Sequence, residues 1–182
     1  GGVGNATSKN REYVKQNTKF GLGQQTTAAS FTDVIIIPAD LADDDRFTVN
    51  VPTAAGGAGY DVTIRVVTSA ASDGTTNEAQ VREGGSVENT RDRLVGLING
   101  NTSTVQKYGA GSGDVTNGIL GITAAAGTDT DQITITATKL GAVGNDIVFT
   151  DVEGTIVEGG DSTSPAKLTG GKTNPPLLNA IV

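Results

Sequence analysis

The chain has 182 residues, of which 18% are charged and 4% aromatic, and its formal net charge is −7. His, Cys, Met and Trp are absent, so the sequence excludes Ser-His-Asp and Cys-His catalysis, tetrahedral zinc sites and disulfide bonds. A chain of this length can bury the core of a single domain. Because aromatic residues are few and Gly is abundant, we expect a core of Val, Ile and Leu and a surface rich in turns.

Charge divides the chain into a basic start and an acidic body. Residues 1–30 carry four cations and one carboxylate, a net of +3, whereas the other 152 residues have a net charge of −10. An acidic body repels nucleic acid, and no apolar run approaches the roughly 20 residues of a membrane span. The sequence therefore predicts neither nucleic acid nor a membrane as a partner.

Residues 1–30 show little hydrophobic periodicity, which is typical of an extended N-terminal arm. Their composition fits a disordered tail, and the alternative is an arm that becomes ordered against a neighbouring subunit. On the second interpretation the contacts come from four apolar anchors and two lysines: Tyr13, Val14, Lys15, Lys19, Phe20 and Leu22.

The body, residues 31–172, begins with patterns typical of strands. The apolar run 34–37 predicts a strand that is buried on both faces. Residues 46–51 alternate between apolar and polar side chains, and so do residues 62–66 after a Gly-rich turn, which predicts a β-hairpin. Residues 78–82 predict one more strand.

A single helix is predicted over residues 86–99. Ser86 is placed as the N-cap, because its hydroxyl can accept a hydrogen bond from the backbone N–H of Asn89. Asn99-Gly100 ends the helix, because Gly readily adopts the left-handed conformation. Arg91 alone interrupts the apolar face, so its side chain must snorkel or find a carboxylate. That face comprises Val87, Leu94, Val95, Leu97 and Ile98, with Thr90 beside them, and the opposite face comprises Glu88, Asn89, Asp92, Arg93 and Gly96.

After the helix, the sequence predicts a surface loop, further strands and an extended C-terminal tail. Residues 101–117 are polar and Gly-rich, as a loop requires. The tail, residues 173–182, has two consecutive prolines and no helix cap. Short apolar runs or alternation predict strands at 119–122, 133–138, 147–149 and 155–157. The candidate partner contacts in the tail are Leu177, Leu178, Ile181 and Val182.

Two groups of carboxylates resemble calcium-binding patterns. Residues 56–64 fit most of the nonapeptide G-G-x-G-x-D-x-U-x, but Thr63 stands where a large apolar residue is required, and the motif needs successive repeats. Asp40 and the run 43–45 lack the spacing of a calcium loop. We interpret the first group as a hairpin loop and the second as a solvated acidic turn. The sequence predicts no metal site, no cofactor and no catalytic residue.

The order of these segments resembles a module found in virion structural proteins of tailed bacteriophages. The resemblance spans residues 31–172. The chain departs from the module at Arg91, where a small apolar residue is usual, and at Thr63-Ile64, which replace an aromatic. The matching pieces are 45–49 (DRFTV), 60–64 (YDVTI), 84–86 (GGS), 97–99 (LIN), 133–137 (ITITA), 141–147 (GAVGNDI) and 168–171 (LTGG).

The resemblance implies a virion subunit without enzymatic activity, in the first instance a capsid decoration or cement protein that bridges coat subunits. Its partners would be other copies of itself and a major capsid or tail protein, assembled in the host cytoplasm. Two alternatives stay open: a phage tail or extracellular filament subunit, and a calcium- or glycan-dependent adhesin domain. From the residue patterns, the predicted fold class is α+β, a mostly antiparallel sheet with one packed helix, an extended N-terminal arm and a C-terminal tail.

Overall fold

The computed structural model describes residues 25–30, 35–36, 43–57, 59, 61–69, 71, 78–101, 106–108, 117–151, 157–158 and 166–173. In this part of the chain one α-helix, α1 (Val87–Ile98), stands among twelve short strands. The strands are β1 (Gln25–Ser30), β2 (Ile35–Ile36), β3 (Arg46–Asn50), β4 (Asp61–Val67), β5 (Glu78–Arg82), β6 (Gln106–Tyr108), β7 (Ile122–Ala126), β8 (Gln132–Leu140), β9 (Val148–Asp151), β10 (Val157–Glu158), β11 (Ala166–Lys167) and β12 (Lys172–Thr173).

The first sheet has the strand order β11-β9-β3-β4-β5-β6. Its centre is the predicted hairpin, in which Phe47 lies opposite Ile64 and Val49 lies opposite Val62. The alternation of the sequence is confirmed, since every second residue of β3 is buried. β5 pairs with β4 in parallel, whereas the other pairs of this sheet are antiparallel.

The second sheet has the strand order β10-β2-β8-β1-β12, with β7 paired to the other side of β8. All of its pairs are antiparallel. Ile133, Ile135 and Ala137 of β8 are buried, as their alternation predicts. The predicted fold class is confirmed: one helix is packed on mostly antiparallel strands.

The helix begins and ends where its caps were predicted. The backbone N–H of Asn89 donates to the Ser86 hydroxyl at 3.2 Å, and Asn99 is the C-cap. Gly100 follows with a φ of +89°, and a Cβ built there would lie 2.1 Å from the carbonyl oxygen of Asn117. Only glycine fits this turn without strain.

One hydrophobic core joins both sheets and the helix. It contains Leu94, Leu97 and Ile98 of α1 together with the inner faces of β3, β4, β5, β7 and β8. Val, Ile and Leu dominate it, as the composition indicates, and Phe47 and Phe149 are stacked with ring centroids 6.4 Å apart. Burying such aliphatic side chains is the main source of folding free energy.

Arg91 lies within this apolar face and is 8% exposed. Its Nε donates to Asp92 Oδ1 at 2.8 Å, its Nη1 donates to the carbonyl oxygen of Asp129 at 3.3 Å, and Glu88 Oε1 lies 3.6 Å from its Nη2. The predicted need for a carboxylate is therefore met, and the guanidinium also connects α1 to the turn between β7 and β8.

Three predictions about the region around the helix need correction. Gly96, placed on the solvent side, is buried, because a residue without a side chain has nothing to extend beyond its neighbours. The predicted loop 101–117 contains β6, which covers the outer edge of β5 with antiparallel pairing and so satisfies its backbone groups. The strand predicted at 119–122 begins only at Ile122, because Gly118 and Gly121 have φ values of +104° and +93°, which are turn conformations.

The remaining predicted strands are met in part. β2 falls within 34–37, β9 extends from 148 to 151, and β10 begins at Val157. The burial of the β2 side chains, and residues 155–156, lie outside what the structure describes.

Removing the Leu94 side chain should destabilise the protein far more than removing that of Glu88. Leu94 is 1% exposed in the core, so Leu94→Ala should cost about 2–5 kcal/mol. Glu88 is 59% exposed, so Glu88→Ala should cost less than about 1 kcal/mol. Urea unfolding of the two variants and the unchanged chain measures both; equal costs would contradict the placement of the helix.

Candidate functional site

The two ends of the described chain leave the body side by side. β1 and β12 are antiparallel neighbours, and Gln25 lies opposite Thr173. The segments 1–24 and 174–182 are therefore joined to the body at one point. We call this point the terminal corner and define it by Gln25, Ala28, Leu140, Ala142 and Thr173.

Leu140 gives the terminal corner an apolar side chain. It lies opposite Ala28 in the pairing of β8 with β1 and is 45% exposed. Thr173 is tied to the body beside it, because its hydroxyl accepts a hydrogen bond from the backbone N–H of Ala142 at 3.0 Å. The corner thus combines two outgoing chain segments with an accessible leucine.

An asparagine holds the chain in place just before it reaches the corner. Asn145 Nδ2 donates to the carbonyl oxygen of Gly171 at 3.1 Å, and the N–H of Gly171 donates to Asn145 Oδ1 at 2.9 Å. Asn145 lies in a 3-10 helix, Ala142–Asp146. This contact joins 141–147 and 168–171, two of the segments that resemble the phage module. The sequence alone did not predict that they meet.

The predicted partner contacts are not themselves in the described residues. What the structure brings together is Gln25 and Thr173, the described residues to which these two segments are joined. The last six residues of the predicted arm form β1, which pairs with β8 and β12, so the part that precedes the body is 1–24. Thr173, the predicted start of the tail, belongs to β12. The contacts outside the described residues are Tyr13, Val14, Lys15, Lys19, Phe20, Leu22, Leu177, Leu178, Ile181 and Val182.

A second surface, which the sequence analysis missed, lies at the C-terminal end of α1. It is an open groove of about 510 Å³ between the end of the helix, the hairpin loop at Gly56 and the start of β7. Leu120 is 46% exposed there. We call this surface the Leu120 groove. The signal for it was the pattern Gly118-Ile119-Leu120-Gly121, in which two turn glycines enclose a leucine.

Asn99 builds one wall of the Leu120 groove. Its Nδ2 donates to the carbonyl oxygen of Ala124 at 2.8 Å, and the N–H of Ala124 donates to its Oδ1 at 2.9 Å. These bonds satisfy the backbone of β7 on the side that faces away from β8, where an unpaired strand edge would otherwise be open. The same two-bond contact that Asn145 makes at the terminal corner is repeated here.

Two carboxylates of the acidic turn, Asp43 and Asp44, bind other groups of the protein. Asp44 makes ion pairs with Arg46 and Arg65. The N–H of Arg65 Nε does not point at the Asp44 carboxylate, so this contact is an ion pair without a hydrogen bond. Asp43 accepts from the backbone N–H of Thr68 at 2.9 Å and from its hydroxyl at 3.3 Å. Among the described residues, no group of three or more His, Cys, Asp or Glu could hold a metal ion.

The calcium-like stretch 56–64 closes the β3–β4 hairpin. Its aspartate, Asp61, accepts a hydrogen bond from Asn50 Nδ2 at 3.0 Å across the two strands. A Cβ on Gly57 would lie 2.3 Å from Val51 Cγ1, so this glycine serves close packing of the loop. Both observations assign the stretch a structural part in the hairpin.

Within the described segments, no helix is long and apolar enough to cross a membrane. Comparisons of the chain with models of protein families, with curated proteins and with solved structures found no match.

Calcium should leave the thermal stability of the protein unchanged. Asp43, Asp44 and Asp61 already have partners in the protein, whereas a bound ion would raise the apparent stability by mass action. Unfolding midpoints measured with EDTA and with millimolar calcium should agree within about 1 °C. A rise of many degrees on adding calcium would show that one of these carboxylates is a ligand.

Replacing Asn145 should loosen the attachment of β12. Asn145→Ala leaves the N–H and C=O of Gly171 without their partners and should cost about 1–3 kcal/mol. Asp146→Ala, at an exposed position in the same 3-10 helix, should cost less than about 0.5 kcal/mol. Amide hydrogen exchange across 166–173 should quicken in the first variant only; unchanged exchange there would refute the role of Asn145.

Proposed function

We propose that this chain is a non-enzymatic structural subunit of a virion, a capsid decoration protein that bridges coat subunits. The observation that carries the proposal is the terminal corner, where the pairing of Gln25 with Thr173 places both outgoing segments at one point of the body. Two binding segments that start together can engage one site on a large particle at once, and such linkage raises the overall affinity.

The charge pattern supports attachment through the arm. All four cations and the one carboxylate of the first 30 residues lie within 1–24, which keeps the net charge of that segment at +3 beside an acidic body. With few apolar residues it has no core of its own, and ordering it costs about 1–2 kcal/mol per residue in backbone entropy. A partner surface that buries Tyr13, Phe20 and Leu22 is what would offset that cost.

The body is suited to serve as a folded support for the two attachment segments. Its core is continuous through both sheets and α1. The carboxylates that resemble calcium ligands, Asp43, Asp44 and Asp61, instead bind residues of neighbouring strands and turns. A body with one continuous core and two attachment segments fits a subunit that bridges neighbours. A tail or filament subunit is the second candidate, and the Leu120 groove favours it because a groove of this kind offers a place for a further copy to dock.

Deleting residues 1–24 should abolish binding to the particle without changing the stability of the body. The deletion leaves β1 intact, so the unfolding midpoint should stay within about 1–2 °C, since a terminal segment with so few apolar residues contributes little to a core. Binding is measured as saturation of the shell with which the full chain co-purifies. Binding of the full chain should weaken as salt rises, because screening acts on exposed charges.

Two further deletions serve as controls. Removing residues 1–8 takes away none of the cations and none of the predicted contacts, and it should leave binding intact. Removing residues 1–30 also takes away β1 and should lower the unfolding midpoint. The proposal fails if the chain without residues 1–24 still saturates the particle, or if that chain unfolds many degrees earlier.

A further inference from the structure

The dipeptide Asn-Gly occurs twice in the chain, at 99–100 and at 117–118, and the two copies meet at the C-terminal end of α1. A Cβ built on Gly100 would lie 2.1 Å from the carbonyl oxygen of Asn117, and one built on Gly118 would lie 2.8 Å from the backbone nitrogen of Gly100. Both glycines also have left-handed φ values, +89° and +104°. The packing therefore requires glycine after each of these asparagines.

A glycine after an asparagine leaves the side-chain amide open to attack by its own main chain. The backbone nitrogen of the second residue can reach Cγ of the asparagine and close a five-membered ring, and glycine has no side chain to hinder that approach. Asparagine is one of the residues that limit the lifetime of proteins at high temperature. The reaction needs an amide that can turn towards the main chain and a backbone nitrogen that is not held elsewhere.

Asn99 meets neither requirement. Its Nδ2 donates to the carbonyl oxygen of Ala124 at 2.8 Å, and its Oδ1 accepts from the N–H of Ala124 at 2.9 Å, so both ends of the amide are held against β7. The attacking group is held as well, because the N–H of Gly100 donates to the carbonyl oxygen of Leu97 at 3.2 Å. These three hydrogen bonds must break before the nitrogen of Gly100 can reach Cγ of Asn99.

Asn117 is under no such restraint from the part of the chain that the structure describes. It is exposed and lines the open Leu120 groove. No described residue forms a hydrogen bond with its amide or with the N–H of Gly118. The turn itself is fixed one residue later, where the N–H of Ile119 donates to the carbonyl oxygen of Ile98 at 3.0 Å. The backbone is thus anchored while the Asn117 amide stays open to water.

We propose that Asn117 is a site of spontaneous deamidation and that the fold protects Asn99 from the same reaction. The nitrogen of Gly118 loses its proton to hydroxide and bonds to Cγ of Asn117. The Cγ–Nδ2 bond breaks, and Nδ2 takes up a proton from water and leaves as ammonia, which restores the hydroxide. Water then opens the ring at either carbonyl and gives aspartate or isoaspartate. The sum consumes water and releases ammonia, and no atom is oxidised or reduced.

The products change the surface on which they form. Aspartate and isoaspartate both add a carboxylate to the Leu120 groove, which Asn117 lines. Isoaspartate also adds a carbon atom to the main chain, at a turn where Gly118 is packed against Ile98 and Gly100. The reaction therefore marks aged copies of the protein by an added negative charge at the end of α1.

The test follows the full chain as it ages in mildly alkaline buffer, both folded and unfolded in guanidinium chloride. Samples taken at successive times, including one at the start, are digested with trypsin and analysed by mass spectrometry. Cleavage after Arg93, Lys107 and Lys139 places the two dipeptides in separate peptides, 94–107 and 108–139. Fragmentation locates the modified asparagine and distinguishes aspartate from isoaspartate.

The two sites should react at similar rates in the unfolded chain and at very different rates in the folded chain. Asn117 should deamidate in both states. Asn99 in the folded chain should react about tenfold to a thousandfold more slowly than Asn117, since three hydrogen bonds must open first. The difference comes from the fold, because the unfolded chain has the same sequence.

Asn117→Gln is the matched control, because glutamine would have to close a six-membered ring, which forms far more slowly. Peptide 108–139 of this variant should stay unmodified, and circular dichroism checks that the variant is folded. Three results would overturn the proposal: Asn99 reacts as fast as Asn117 in the folded chain, Asn117 reacts only when the chain is unfolded, or peptide 108–139 is still modified in Asn117→Gln. The reaction needs no particle and no partner, so its outcome is separate from the test of the arm.

Discussion

The structure depends on the burial of one face of α1 between two sheets. Leu94, Leu97 and Ile98 contribute to the same core as the inner faces of both sheets, and α1 contacts β5 and β6 on one side and β7 and β8 on the other. Each sheet has an apolar inner face that needs cover from water, and α1 covers part of both. The places where the helix begins and ends therefore decide which residues of the two sheets it covers. Ser86 and Gly100 matter for that reason, since they fix where the helix begins and ends.

Two asparagines extend this arrangement to the surface. Asn99 follows the helix and binds the backbone of Ala124, and Asn145 in a 3-10 helix binds the backbone of Gly171. A side-chain amide presents a donor and an acceptor with nearly the spacing of a peptide group, so each asparagine takes the place of a missing strand neighbour. One of these contacts shapes the Leu120 groove and the other holds the chain at the terminal corner. Each surface is therefore held to the body by two hydrogen bonds from one asparagine.

Elements whose signal is local were predictable from the sequence. The caps at Ser86 and Asn99 and the alternation of β3, β4 and β8 depend on neighbouring residues, and the structure confirms them. The parallel pairing of β4 with β5 and the presence of β6 in a polar stretch depend on which edge needs a partner, and no local pattern contains that information. The strand predicted at 119–122 begins too early for a related reason: Gly118 and Gly121 turn the backbone there, and Leu120 between them is exposed. The terminal corner was equally hidden, since it arises from the pairing of Gln25 with Thr173 across most of the chain.

Attachment through the arm and folding of the body would depend on different forces. The arm is basic and would attach to its partner partly by charge, over distances that salt shortens to about 8 Å at physiological ionic strength. The body depends on apolar burial in one core, which strongly hydrated salts such as sulfate strengthen. Raising the salt concentration would therefore weaken attachment to a particle while preserving the fold, because the segment that attaches contributes little to the apolar core and the core contains little of the charge that attachment requires.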